Sequence, residues 1–330
     1  MQSKKLTQIL CTLAATGLIV GPARAEPTKR HLVQSLEIVI LSTMLAERGI
    51  GEWGFSALVE ADGHRILVDT GAHSDTVIRN AETLGVDLSS VEQVVLTHSH
   101  GDHTGGLLAL RREYASKSPK ALSVVHAGRG ILWDRPESRW PTTMAERKAA
   151  YEQLGGSITE HDGPTELHPG IWITGPVPRR HPERSFGNPF DPTAPITSVR
   201  SPGGLVEDNV PESVSLVIET PKGLVVISGC GHAGMVNTLE YARELTGGSH
   251  VHAAIGGFHL LASTEDQLAW TASKLVGLGL EKLIGAHCTG LEAVYRLREL
   301  AKLDRASAVV GAVGASFTLA DGIDPLMLAR

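Results

Sequence analysis

Four times along this chain of 330 residues, an apolar run of strand character ends in a glycine-containing turn that carries a histidine. The runs end near Leu96, Ser228, Ile255 and Ala286, and a helix-like stretch follows each turn. Strands that are followed by helices pair in parallel and place their C-terminal ends along one edge. No sequence repeat underlies the recurrence. The pattern predicts an α/β fold in which residues far apart in the chain meet at one sheet edge.

The first turn is the densest. Thr97-His98-Ser99-His100-Gly101-Asp102-His103-Thr104-Gly105-Gly106 holds three histidines and one aspartate within six residues. Val94, Val95 and Leu96 precede it as the end of a buried strand, and Leu107, Leu108 and Leu110 follow as the start of a helix. Imidazole and carboxylate are the donors that borderline metals such as zinc take. His98 and His100 alternate, so an extended segment points both the same way. Asp102 and His103 turn toward a second ion beside the first. Two ions roughly 3.5–4 Å apart hold and activate one hydroxide between them. His232 and His287 are the remaining ligand candidates. One of them joins His98 and His100 in a three-ligand site with an open position, and the other joins Asp102 and His103; the sequence does not say which. The expected cofactor is Zn²⁺, one or two ions per chain, with Mn²⁺ or Fe²⁺ as substitutes. Asp102 is also expected to orient the nucleophile or shuttle its proton. His259, in Gly256-Gly257-Phe258-His259-Leu260, is read as ligand, substrate contact or hydrogen-bond partner of a ligand. Asp69 is expected behind a metal histidine, setting its tautomer.

Hydrophobic residues make up 42% of the chain, enough for a sizeable core. Net charge is −6 and no basic run stands out, which argues against a nucleic-acid partner. The N-terminus reads as a secretory signal. Lys4 and Lys5 precede an apolar run from Ile9 to Val20, and Ala23-Arg24-Ala25 offers a small-x-small cleavage site. Residues 1–25 are therefore set aside as a signal peptide, and the expected location is periplasmic or secreted. No stable membrane span is expected after cleavage, and a homo-oligomer is compatible with the sequence. Cys230 and Cys288 are expected to be buried free thiols, with a thiolate ligand or a bridge as the alternative.

Residues 26–330 are read as a single domain. Ser74 is the expected N-cap of a helix whose apolar face is Val77, Ile78, Ala81 and Leu84. Asp62-Gly63 is the expected turn of a hairpin, with His64 in it. From residue 176 to 211 prolines and glycines are dense and periodicity vanishes. A loop of that length is read as a lid, a binding loop or a passive insertion. Arg179, Arg180 and Arg184 make it locally basic, favouring a small anionic substrate.

The stretch from His98 to His103 resembles the HxHxDH signature of the metallo-β-lactamase superfamily. So does Gly63-His64-Arg65-Ile66-Leu67-Val68-Asp69-Thr70-Gly71, the strand and turn before the metal loop. The resemblance implies an αββα sandwich and hydrolytic chemistry with one or two metals at the sheet edge. Gly229-Cys230-Gly231-His232, Gly256-Gly257-Phe258-His259-Leu260 and His287-Cys288-Thr289-Gly290 are similar to a subgroup typified by 7,8-dihydropterin-6-methyl-4-(β-D-ribofuranosyl)-aminobenzene-5′-phosphate synthase. Two departures stand out. No histidine occurs in Val206-Glu207-Asp208-Asn209-Val210-Pro211-Glu212, where many members carry a ligand, which leaves Asp208 as a candidate. The aspartate that bridges the metals elsewhere is replaced by the turn containing Cys230 and His232. The expected activity is an exported metal-dependent hydrolase that uses a metal-bound hydroxide on a phosphoester, lactone or similar small ester. The alternatives are a metal-dependent transferase of the dihydropterin-phosphate type, or a non-catalytic periplasmic metal-binding protein.

Overall fold

The computed structural model describes residues 30–183, 185–187, 191, 193–248 and 250–328. The signal-peptide segment and Arg184 lie outside the described residues. His31–Arg330 form one compact unit.

Its frame is two sheets packed face to face. In spatial order the first runs Gly322–Asp324, Ser316–Thr318, Leu36–Ser42, Ser56–Ala61, His64–Val68, Gln93–Leu96, Val124–Gly128 and Ser157–His161. The second runs Ala308–Val310, Lys282–Gly285, Val251–Gly256, Gly223–Ser228, Ser215–Thr220, Ile171–Ile173 and Thr165–His168. Gln93–Leu96 is parallel to both its neighbours, and Gly223–Ser228, Val251–Gly256 and Lys282–Gly285 are parallel to one another, as helical crossovers require. Their C-terminal ends share one edge.

The central core takes one face of each sheet. Ile38, Ile40, Val68 and Val95 of the first meet Leu216, Ile218, Ile227 and Ile255 of the second. Each such side chain contributes about 1.5–3 kcal/mol on leaving water. Outside the first sheet lie helices Thr76–Leu84, Leu107–Ala115 and Met144–Gln153, packed through Val77, Leu110 and Tyr151. Outside the second lie Met235–Thr246, Glu265–Gly277 and Leu291–Leu300, packed through Leu239, Leu275 and Leu297. The layering is the αββα sandwich.

Local readings hold in most places and fail in three. Asp62 and Gly63 form the hairpin turn with positive φ at both residues. His64, expected in that turn, is the first residue of the following strand and stacks on His168 at 3.8 Å. Asp75, not Ser74, is the N-cap residue of helix Thr76–Leu84, and it makes no side-chain cap bond. The stretch from 176 to 211, read as aperiodic, contains a hairpin of Ser198–Ser201 with Gly204–Glu207. Its second strand is exposed throughout, so no apolar alternation marks it.

Candidate metal centre

The metal loop runs from the end of strand Gln93–Leu96 into the short helix Gly101–Thr104. His98, Asp102 and His103 are buried on it, and His100 is half-buried. Asp69 organises them from beneath. It sits in the left-handed region, at φ 55°, on the turn after strand His64–Val68. Its carboxylate accepts the Thr97 backbone N–H at 2.8 Å, the Thr97 hydroxyl at 2.7 Å and the His103 Nδ1–H at 2.7 Å. The His98 Nδ1–H in turn donates to Thr97 Oγ1 at 3.1 Å. The network therefore orients the rings of His98 and His103 and leaves each Nε2 facing the site. Gly229 makes room for it: a Cβ there would land on Asp69 Oδ2 and Thr97 Oγ1.

The second sheet supplies the rest. His232 follows strand Gly223–Ser228, and its Nδ1–H donates to the Ser185 carbonyl. His287 follows strand Lys282–Gly285 with φ 46°, held where its backbone N–H donates to Thr43 Oγ1 at 3.0 Å. His259 follows strand Val251–Gly256, also in the left-handed region at φ 51°. Such backbone costs of order 1–3 kcal/mol per residue and persists where the surroundings enforce it.

These side chains form two groups of three. The ligand atoms of His98, His100 and His232 lie within 4.8 Å of one another, and so do those of Asp102, His103 and His287. His232 therefore completes the first triad and His287 the second. His103 Nε2 and His287 Nε2 face each other at 3.3 Å, with Asp102 Oδ2 3.3 Å from the latter. His98 Nε2, His232 Nε2 and Asp102 Oδ1 are buried without a hydrogen-bond partner. Buried polar atoms left unpaired in this way are rare and costly. Converging lone pairs of nitrogen and carboxylate oxygen are what a divalent cation satisfies, so the donor set fits zinc.

The electrostatics agree. Burial drives the ring of His98 well below the usual imidazole range and takes His100 down to about 3, so both rings are neutral at neutral pH. Burial opposes charge on His103 too, but Asp69 and Asp102 outweigh it and raise its pKa to about 9. Two carboxylates thus demand a positive charge at this spot, which a proton or a cation supplies.

Both triads open onto a cavity of about 510 Å³. His100, His232, Asp102 and His287 reach its wall, and His259 lines it with both ring nitrogens unpaired. Trp53 and Trp140 form aromatic parts of the wall; Trp53 lies 4.8 Å from the His287 ring. Arg135 and Arg139 also line it. Arg135 is committed to Asp208 at 2.8 Å and Glu212 at 2.6 Å, and Glu212 accepts the Ser99 N–H of the metal loop at 3.1 Å. Arg139 is exposed and stacks over Trp140 at 4.7 Å.

Three sequence readings change here. Arg179, expected near substrate, donates instead to the backbone carbonyls of His232 and Asn209 and ties the loop down. Arg180 pairs with Glu244 on helix Met235–Thr246, away from the cavity wall. Asp208, a candidate ligand, is taken up by Arg135. The basic groups that do line the cavity, Arg135 and Arg139, lie in a stretch with no motif or periodicity to mark them.

Comparison with known proteins gives the same picture. A model of the metallo-beta-lactamase superfamily matches residues 54–287. The chain is 31% identical to a 7,8-dihydropterin-6-methyl-4-(beta-D-ribofuranosyl)-aminobenzene-5′-phosphate synthase of Methanocaldococcus jannaschii over 256 residues, 76% of this chain and 85% of the relative. It superposes on Tm1679, described as a metal-dependent hydrolase of the beta-lactamase superfamily, with a TM-score of 0.68 at 26% identity, over 86% of this chain and 98% of that one. It also shares its fold with Zn²⁺-bound PqqB of Methylobacterium extorquens, at TM-score 0.51 and 14% identity over 85% and 99% of the two chains.

Proposed function

The chain belongs to the metallo-β-lactamase superfamily, and from that premise we propose that it is a metal-dependent hydrolase of a small anionic ester. One observation carries the reading. The cavity wall includes ligands of both triads, His100 and His232 of one and Asp102 and His287 of the other. A purely structural or storage site is closed by its ligands; a catalytic one keeps an open face. That geometry favours an enzyme over a metal carrier.

His98, His100 and His232 would hold one ion, and Asp102, His103 and His287 the other. A bound divalent ion supplies Lewis acidity, polarising an acyl or phosphoryl oxygen and acidifying water. The protein does the remainder. Asp69 and Thr97 keep the rings of His103 and His98 in register. Asp102 lines the cavity and has one buried carboxylate oxygen without a protein partner, which would accept and relay a proton. His259, with two unpaired ring nitrogens beside His232, is placed to protonate a leaving group. Arg139 offers a charge to an anionic substrate, and Trp53 and Trp140 offer flat apolar walls.

A second reading, group transfer to a nucleophile other than water, is favoured by the likeness to the dihydropterin-type synthase. Turnover in ¹⁸O-labelled water distinguishes the two: label in the product supports hydrolysis, and unlabelled product supports transfer. The metal reading is tested by metal analysis of the purified protein. About two zinc equivalents are expected, falling in both His98→Ala and His232→Ala; a metal-free wild type overturns it. Export belongs to the same proposal and rests on the N-terminal pattern of Lys4, Lys5 and the apolar run. Cell fractionation and N-terminal sequencing test it, with Glu26 as the expected first residue. Among the described residues no helix is long and apolar enough to cross a membrane.

A further inference from the structure

We propose that Cys230 is a ligand common to both metal ions, its thiolate bridging the His98–His100–His232 triad and the Asp102–His103–His287 triad. The inference rests on the reading above that the site holds two ions. Cys230 is 2% exposed and sits in the turn that ends strand Gly223–Ser228, two residues before His232. Its Sγ lies 3.1 Å from His103 Nε2, the nitrogen that Asp69 leaves free. That separation is within the span of a zinc–nitrogen bond of about 2.1 Å and a zinc–sulfur bond of about 2.3 Å meeting at one ion.

The sulfur is central to the whole cluster. It falls within 4.8 Å of the ligand atoms of His98 and His103, of His232 and His259, and of His287 and Cys288. It therefore adjoins members of both triads. Around it His98 Nε2, His232 Nε2 and Asp102 Oδ1 are buried and unpaired. A thiol brings one weak S–H donor to this surplus of acceptors. Two cations joined by a thiolate would take up all of these lone pairs. On binding, the S–H bond breaks, the sulfur keeps the electron pair and donates to both ions, and the proton leaves to solvent. No oxidant is involved.

Cys288 plays a different part. Its Sγ lies 3.2 Å from that of Cys230, its S–H is directed at the Cys230 carbonyl at 3.8 Å, and it accepts the His259 backbone N–H at 3.3 Å. It shares a ligand group with Cys230 and His287 but with no member of the first triad, so it packs beside the bridging sulfur rather than replacing it. A soft bridging donor also favours zinc over manganese, because thiolate suits zinc and hard oxygen donors suit manganese.

Zinc K-edge X-ray absorption on the zinc-loaded full chain tests the assignment, with metal content and free thiols measured on the same samples. The expected result is two zinc ions and a sulfur shell at about 2.3 Å, with about one sulfur per zinc, in the wild type and in Cys288→Ala. The shell should vanish in Cys230→Ser. Two zinc ions with only nitrogen and oxygen neighbours would overturn the proposal and leave the dinuclear site standing. So would half a sulfur per zinc, a shell that survives Cys230→Ser, or a Cys230–Cys288 disulfide in the loaded protein. A protein without zinc would overturn the two-ion reading and this one with it. Should Cys230→Ser fail to fold, the wild-type and Cys288→Ala spectra still decide.

Discussion

A single added methyl at Gly229 tests the residue scale. The Asp69 carboxylate, Thr97 hydroxyl and His103 ring meet where a Cβ on residue 229 would sit. These are backbone-anchored groups in a buried network, so they have nowhere to move. Gly229→Ala is expected to lower zinc content well below that of the wild type and to reduce Tm by several degrees, read by metal analysis and calorimetry. A different residue reports on pH. Burial, reinforced by His161 and His168, lowers His126, which belongs to neither triad, to about 4. Its unfolded pKa is near 6.5, so between about pH 6.5 and about 4 the unfolded chain takes up a proton that the folded chain refuses. Stability falls as pH drops through that window and levels off below it. Urea unfolding of His126→Gln should show a shallower decline than the wild type over the same range; equal slopes would refute the assignment.

At the scale of single elements, the Asp62-Gly63 turn is legible in the sequence and the caps are settled by backbone geometry. Thr264-x-x-Gln267 closes as a capping box on helix Glu265–Gly277, and Thr143 with Glu146 does the same on Met144–Gln153. Thr264→Ala should cost about 1 kcal/mol in chemical denaturation and leave zinc content unchanged, since the helix packs outside the second sheet. Ser263-x-x-Asp266 has the same spacing, and backbone geometry selects Thr264-x-x-Gln267. Ser74 failed as a cap for the same kind of reason: the chain enters helix Thr76–Leu84 one residue later, and Asp75, already helical in conformation, makes no cap bond. The hairpin at Ser198–Glu207 is hidden because its second strand faces water throughout and carries no alternation.

The whole molecule is needed to hold the metal loop. Arg135 reaches from the segment after strand Val124–Gly128 to Asp208 and Glu212, and Glu212 takes the Ser99 N–H. Glu212 is fully buried and Asp208 nearly so. Arg135→Met would strand two carboxylates in the interior, at a cost of about 3–5 kcal/mol. Equilibrium unfolding should register that loss, and zinc affinity should weaken because Ser99 lies between His98 and His100.

By itself, the sequence determined the sandwich and most of the side chains that gather at the candidate metal centre. Alternating and continuous apolar runs, glycine turns and the spacing from His98 to His103 are local signals, and strands joined through helices leave little choice of edge. Tertiary structure alone decided which remote histidine joins which triad, because His232 and His287 arrive from different strands and only packing places one by His100 and the other by Asp102. It also decided that Arg135 and Arg139, rather than Arg179 and Arg180, line the cavity. Charge is visible in a sequence, but the direction in which a loop turns its side chains is set by the carbonyls and carboxylates it finds when the two sheets close.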